Sequence, residues 1–234
     1  MNISGITKTT LLDYPGKVAC TVFTPGCNLR CRFCHNPDFV VPEKIKEISS
    51  DFIYEESFLV FLDERKFFLD GVVICGGEPT LQPDISDFAK KIKDKGFLVK
   101  LDTNGTNFEV LKHLIDNGLV DYVAMDIKTS QKNLDQLLGV QNFDYSGYYK
   151  SIQFLKENKV DYEFRTTLIK GYHTLETINE LVSEINGAKR YVIKSYTPGK
   201  TLDEKFDGVA FKEEELDEIK QNIKDNFQEC YYVS

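Results

Sequence analysis

The sequence has no apolar run approaching 18 residues, and residues 1–14 carry one lysine and no hydrophobic stretch of the export-signal kind. Membrane-spanning and secreted readings fail on that ground, and the expectation is a cytoplasmic chain. Positive charge is also short: 29 Lys and Arg stand against 37 Asp and Glu, a formal net charge of −8. Long-range electrostatics of that sign repel nucleic acid and anionic membrane. Internal repeats, low-complexity tracts and linkers are absent too, so one domain over residues 1–234 is the economical reading. What remains is globular: 41% hydrophobic and 28% charged residues, excluding disorder and collagen-like repeats. A chain of 234 residues removes roughly 70–75% of its unfolded surface from water on folding, so it needs neither metal nor disulfides merely to fold. Its six cysteines, in a reducing compartment, therefore point to metal or redox chemistry or to small buried hydrophobes.

Short runs rich in Val, Ile, Phe and Tyr alternate with longer stretches of helical spacing. Strands are expected at 18–24, 71–75, 98–102, 122–127, 162–169 and 191–196, and helices at 54–68, 85–95, 108–117, 147–158, 175–185 and 212–227. Gly96, Gly118 and Gly187 sit just past three of the helices, and Thr174 with Thr177 makes half a capping box. The run Glu213–Glu215 suits the positive end of the last helix dipole. This βα rhythm predicts an α/β fold with a parallel sheet, either doubly wound or a complete or partial barrel. Six units at this length suit a partial barrel better than a closed eight-unit one, which takes about 250 residues. Residues 37–50 and 197–210 have no assignment.

After the first expected strand comes Thr24-Pro25-Gly26-Cys27-Asn28-Leu29-Arg30-Cys31-Arg32-Phe33-Cys34-His35-Asn36. Three thiols spaced C-x3-C-x2-C, beside a Pro and a Gly that let a loop fold back, can converge on one metal centre. As ligands of a four-iron cluster they leave one iron without a protein donor, open to a small molecule. Cys31-Arg32-Phe33-Cys34-His35 also matches a haem-attachment pattern, and Cys27, Cys31, Cys34 and His35 could make a three-cysteine, one-histidine zinc site. A purely structural group of thiols is the remaining reading.

Cys27, Cys31 and Cys34, with Phe33 before the last, resemble the signature of the radical S-adenosylmethionine (radical SAM) superfamily. The resemblance implies a partial (β/α)6 TIM-like barrel, with a core at about 18–196, an N-terminal segment and a C-terminal helix. It implies a 4Fe–4S cluster whose open iron chelates S-adenosylmethionine, and reductive cleavage of that cofactor to a 5′-deoxyadenosyl radical. The protein's part in such chemistry is to orient the cofactors and exclude water.

Further segments add to it. Gly76-Gly77-Glu78-Pro79 ends the second expected strand, and glycines at a strand carboxyl end let backbone approach a ligand. In the superfamily this motif's backbone takes the cofactor's ammonium. Asp102-Thr103-Asn104-Gly105 and Asp126-Ile127-Lys128 are ordinary post-strand turns when taken singly. Together they resemble segments of the glycyl-radical-enzyme activases. That likeness makes Asp102, Thr103 and Asp126 candidates for a monovalent-cation site and Lys128 a contact to the cofactor carboxylate, with Asn104 beside them. Arg165 is a charge inside an apolar run; if it faces inward it needs an anionic partner, and the cofactor carboxylate would serve.

Thr197 stands where the pyruvate formate-lyase activase has a histidine. His173 is a substitute by position but reads as a loop residue, and His113 as a helix-face residue. Cys20, Cys75 and Cys230 read as packing residues, which excludes a second cluster held by three or four cysteines. The opening Gly5–Lys17 resembles the start of the longer activating proteins of anaerobic ribonucleoside-triphosphate reductase. The implied function is generation of a glycyl radical on a partner such as that reductase, with a flavodoxin- or ferredoxin-type electron donor. The alternatives are a radical SAM enzyme acting on a small molecule or peptide side chain, and a non-catalytic metal-binding module.

Overall fold

The computed structural model describes residues 1–140 and 144–233. One eight-stranded sheet runs in chain order: β1 (Gly5–Thr10), β2 (Ala19–Thr24), β3 (Gly71–Gly76), β4 (Leu98–Thr103), β5 (Tyr122–Asp126), β6 (Asp161–Leu168), β7 (Arg190–Ser195) and β8 (Glu229–Val233). β1 is antiparallel to β2, and every later pairing is parallel. The helices are α1 (Pro42–Ile48), α2 (Glu55–Glu64), α3 (Ile85–Asp94), α4 (Phe108–Asp116), α5 (Leu134–Leu138), α6 (Ser146–Lys156), α7 (Leu175–Ile185) and α8 (Glu213–Ile223). No helix among the described residues is long and apolar enough to cross a membrane.

Six βα units, from β2 through α8, match the expected count, and β8 follows as a seventh parallel strand. β8 and β1 lie outside the sequence-based assignment because both are edge strands. β1 is Thr-rich and buries no residue fully, with no apolar run to mark it. The expected helix 212–227 ends earlier, at Ile223, and passes through a short 3-10 turn into β8. Residues 37–50, unassigned from sequence, contain α1, which starts on Pro42.

Strand alternation divides the sheet into two faces. Val22, Ile74, Leu101, Val123 and Tyr162 are register neighbours across five strands and fully buried. They meet helices whose apolar residues recur at helical spacing, such as Ile85, Phe88, Ala89 and Ile92 on α3 and Ile178, Leu181, Val182 and Ile185 on α7. Each such buried aliphatic side chain is worth about 1.5–3 kcal/mol. The other face is polar. Asp102, Ala124 and Glu163 form one register row, and Asp126, Arg165, Val192 and Tyr231 another. Residues from β2 through β8 on this face line one cavity of about 560 Å³, so the sheet curls around it as a partial barrel.

Candidate active site

The cysteine loop follows β2, has almost no regular structure of its own, and is held by its neighbours. Gly26 N–H donates to the Phe39 carbonyl at 2.8 Å, and Glu78 N–H to the Gly26 carbonyl at 2.7 Å. Arg30 and Arg32 donate their amides to the Leu138 and Leu137 carbonyls of α5 at 2.9 and 3.1 Å. Cys27, Cys31 and Cys34 all line the cavity and are free thiols. Burial pushes the Cys27 thiol up to about 12 and the Cys31 thiol up to about 11, as expected of thiols facing no cation strong enough to ionise them.

The three thiols face one space, Cys31 lying near enough to Cys27 and Cys34 for their charges to act on one another. Three thiols on one cavity wall are the donor set of an iron–sulfur cluster that keeps one iron open. His35, the fourth ligand of the zinc reading, has its ring against Tyr196, with centroids 5.5 Å apart.

The Gly76–Pro79 turn holds this loop from beneath. A Cβ on Gly76, whose φ is +122°, would lie 2.2 Å from the Thr24 amide nitrogen, and one on Gly77 would lie 2.0 Å from the Gly26 carbonyl oxygen. Both obstacles are backbone, so they cannot swing aside. Gly77→Ala is expected to cost about 1–3 kcal/mol through overpacking and to displace the cysteine loop. Anaerobic reconstitution should then give less iron per chain than wild type; an equal iron content would refute the steric reading.

Glu78 is buried and accepts four hydrogen bonds: from Thr80 N and Oγ1 at 3.1 and 2.6 Å, Thr103 Oγ1 at 2.7 Å and Asn104 N at 2.7 Å. Burial raises its pKa, and these donors oppose the rise. Its carboxylate thus ties the end of β3 to the end of β4, while Pro79 opens a 3-10 turn. Asn104 Nδ2 in turn donates to Asn28 Oδ1 in the cysteine loop at 2.9 Å.

Arg165 faces inward, and its anionic partners belong to the protein. Its Nη1 lies 2.9 Å from Asp102, and its Nε and Nη2 lie 3.0 and 2.9 Å from Asp126 Oδ1. Lys100 pairs with the other Asp102 oxygen, and Lys128 Nζ sits 2.8 Å from Asp126 Oδ2. Burial opposes ionisation of both aspartates, but Arg165 with Lys100 holds Asp102 below its ordinary range, and Arg165 with Lys128 holds Asp126 far below it. Three cations thus face two carboxylates, and Glu163 acts on Arg165 as a third acid. Every carboxylate oxygen expected to hold a monovalent cation is engaged by a protein cation, and Thr103 is turned to Glu78, so these groups do not fit such an ion as they stand. Lys128 also lies 5.9 Å from the centre of the Phe33 ring, on the side of Cys31 and Cys34.

His173 is buried, with Nδ1 accepting from the Ile169 amide at 3.0 Å and Nε2 lying 3.0 Å from the Lys128 carbonyl. Both nitrogens are occupied and neither faces the cavity, so it stays a turn residue and takes no part in replacing a histidine at Thr197, itself exposed. His113 lies exposed on α4 beside Asn117. Cys20 is fully buried, whereas Cys75, read as a packing residue, lines the cavity.

Lys100, Glu163, Lys194, Tyr231 and the loop residues Leu11–Asp13 join the site without having been singled out from sequence. Lys100 and Glu163 had a usable signal: each stands two residues before a chosen charge on the same strand, hence on the same face. Leu11 and Leu12 are 70% and 87% exposed at the rim of the cavity.

Comparisons with known proteins agree with this arrangement. The profile of the Radical SAM superfamily matches residues 21–185. A glycyl-radical enzyme activating enzyme of Methanocaldococcus jannaschii is 36% identical over 222 residues, spanning 93% of this chain and 89% of that protein. The pyruvate formate-lyase-activating enzyme of Clostridium pasteurianum is 29% identical over 81% of this chain and 84% of its own. Among solved structures, Streptococcus suis SuiB superposes with a TM-score of 0.67 at 17% identity, over 92% of this chain and 49% of SuiB. The chain therefore spans about half of SuiB, and this likeness is one of fold. A domain of a pyruvate-formate lyase-activating enzyme from Bacteroides vulgatus gives a TM-score of 0.55 at 20% identity, over 70% of this chain and 99% of that domain.

Proposed function

Because the chain belongs to the radical SAM superfamily, an enzyme family of the 4Fe–4S cluster and S-adenosylmethionine, we propose that it is an activase that places a glycyl radical on a partner enzyme. The observation that carries this reading is the 36% identity to a glycyl-radical enzyme activating enzyme over 93% of the chain. Support for anaerobic ribonucleoside-triphosphate reductase as the partner comes from the segment Gly5–Lys17.

In this reading Cys27, Cys31 and Cys34 each hold one iron of the cluster and leave the fourth open. So held, the cluster with S-adenosylmethionine and one electron from a flavodoxin- or ferredoxin-type donor would supply abstraction of a glycine Cα hydrogen, with methionine and 5′-deoxyadenosine as the products. The backbone at Gly76–Glu78 receives the cofactor ammonium, and Lys128 and Arg165, the cations nearest the cysteine loop and the strand ends, receive its carboxylate. Phe33 and the Gly76–Pro79 turn exclude water from that end of the cavity. The partner's glycine-bearing segment enters past Leu11 and Leu12, whose exposed apolar surface favours a macromolecular substrate.

The reduced, reconstituted protein, mixed with S-adenosylmethionine and anaerobic ribonucleotide reductase, is expected to yield a glycyl doublet by electron paramagnetic resonance and 5′-deoxyadenosine. Release of 5′-deoxyadenosine without a doublet from any glycyl radical enzyme would move the assignment to a small-molecule or peptide side-chain substrate. A colourless protein holding one zinc would overturn the enzyme reading altogether.

A further inference from the structure

The Arg30 and Arg32 amides of the cysteine loop are used toward α5, and its Gly26, Cys27, Leu29 and Cys31 carbonyls are met near at hand by Glu78 N, the Arg30 guanidinium and Cys34 N. The Arg32 and Cys34 carbonyls are met by a segment more than 160 residues later in the chain. Leu202 N–H donates to the Cys34 carbonyl at 2.9 Å, and Asp203 N–H to the Arg32 carbonyl at 3.0 Å. The Asp203 carboxylate accepts from Arg32 Nε at 2.8 Å. The Arg32 guanidinium also lies 5.6 Å from the centre of the Phe206 ring and 5.8 Å from that of Tyr172.

Phe206 packs on Phe33, Tyr172 and Tyr196, with ring centres 6.2, 4.9 and 5.8 Å apart. Both ends of this segment are fixed. The Asp203 carbonyl and carboxylate accept from the Phe206 and Lys205 amides, and Lys170 N–H donates to the Val209 carbonyl at 2.8 Å beyond the turn.

We propose that residues 201–209 form a positioning strap for the cysteine loop, in which Asp203 and Phe206, acting through Arg32 and Phe33, set the Cys31–Cys34 turn and so the cluster's shielding and reduction potential. The proposal rests on the reading that these cysteines hold the cluster. Loop backbone with few internal bonds opens at low cost unless it is tied from outside. The groups behind metal ligands tune both affinity and potential, and the apolar shell controls water access. Reduction adds negative charge to the cluster, so letting water reach it favours the reduced state and raises the potential.

Asp203→Ala and Phe206→Ala are compared with wild type after anaerobic reconstitution, with Asp203→Asn as the conservative variant that keeps an acceptor for Arg32. Wild type must first show the 4Fe–4S spectrum and form 5′-deoxyadenosine; its failure there would count against the functional reading and not against the strap. The alanine variants are expected to melt, cluster-free, within about 2–4 °C of wild type. With cluster loaded they should bleach in air about tenfold faster, at a reduction potential shifted upward, and Asp203→Asn should recover most of the difference. Bleaching and potential unchanged in both alanine variants would overturn the proposal. So would a cluster-free melting loss large enough to account for the faster bleaching.

Discussion

Cys27→Ala, Cys31→Ala and Cys34→Ala are each expected to leave a folded chain that forms no stable 4Fe–4S cluster and releases no 5′-deoxyadenosine. The size of the effect follows from the ligand count. With only three thiolates for four irons, losing one leaves two irons open, and neither nearby cysteine is placed to replace it: Cys75 lies within β3 beside Asp102 and Arg165, and Cys20 is buried inside β2. Folding should survive, because Cys31 is one small member of a large core that Cys27 and Cys34 only border, and a single Cys→Ala change there costs about 1 kcal/mol. Cys230→Ala, on the last strand, serves as the control and should keep about four irons per chain and full product release. Iron analysis, the visible spectrum and chromatographic assay of 5′-deoxyadenosine decide the matter. Wild-type iron and product in any of the three ligand variants would remove that residue from the ligand set.

Arg165→Leu should be the most destabilising single change in the polar face. The guanidinium bridges Asp102 on β4 and Asp126 on β5, with its own side chain 10% exposed. Removing one member of a buried charge network typically costs about 3–5 kcal/mol. Lys100 and Lys128 remain, one on each carboxylate, so the lower end, about 3 kcal/mol, is expected at neutral pH.

The pH dependence carries a sign. Both aspartates have folded pKa values below the ordinary 3.8. Their contribution to stability is therefore fully present above that value and is lost as pH falls through the folded values. Without Arg165 the two carboxylates titrate nearer the ordinary range, so the gap between variant and wild type should be widest at neutral pH and narrow only on acidification below 3.8, toward pH ~2. Arg165→Lys should recover part of the loss, since an ammonium supplies the charge but not the fork that reaches two carboxylates. Urea unfolding at both pH values tests this. A variant as stable as wild type at neutral pH would mean that the network contributes nothing to folding.

The features readable in the sequence were those encoded locally. Cys27, Cys31 and Cys34 lie within one turn-forming stretch, and Gly76–Pro79 and Asp102–Asn104 each close a strand, so residue type and spacing alone pointed to them. Arg165 stands out in the sequence as a charge in an apolar run, but its direction stays open there and only the structure turns it inward. Its partners stay open there too: the choice of Asp102 and Asp126 over a bound carboxylate depends on β4, β5 and β6 being neighbours in this order. Lys100 and Glu163 share a face with Asp102 and Arg165 by strand alternation, but only the curled sheet turns that face into a cavity. The edge strands β1 and β8 escaped because an edge strand needs only one covered side and so carries a weak apolar pattern.

By itself, then, the sequence determined the βα order, the three-cysteine loop and the family whose chemistry such a loop serves, because each rests on residues close together in the chain. Only the tertiary structure decided that Arg165, Lys100 and Lys128 neutralise the two aspartates, that Cys75 faces the cavity, and that residues 201–209 lie against the cysteine loop. Arg32 and Asp203 are 171 positions apart. No local propensity links them; they meet because six βα units curl the sheet until the segment after β7 returns to the loop after β2.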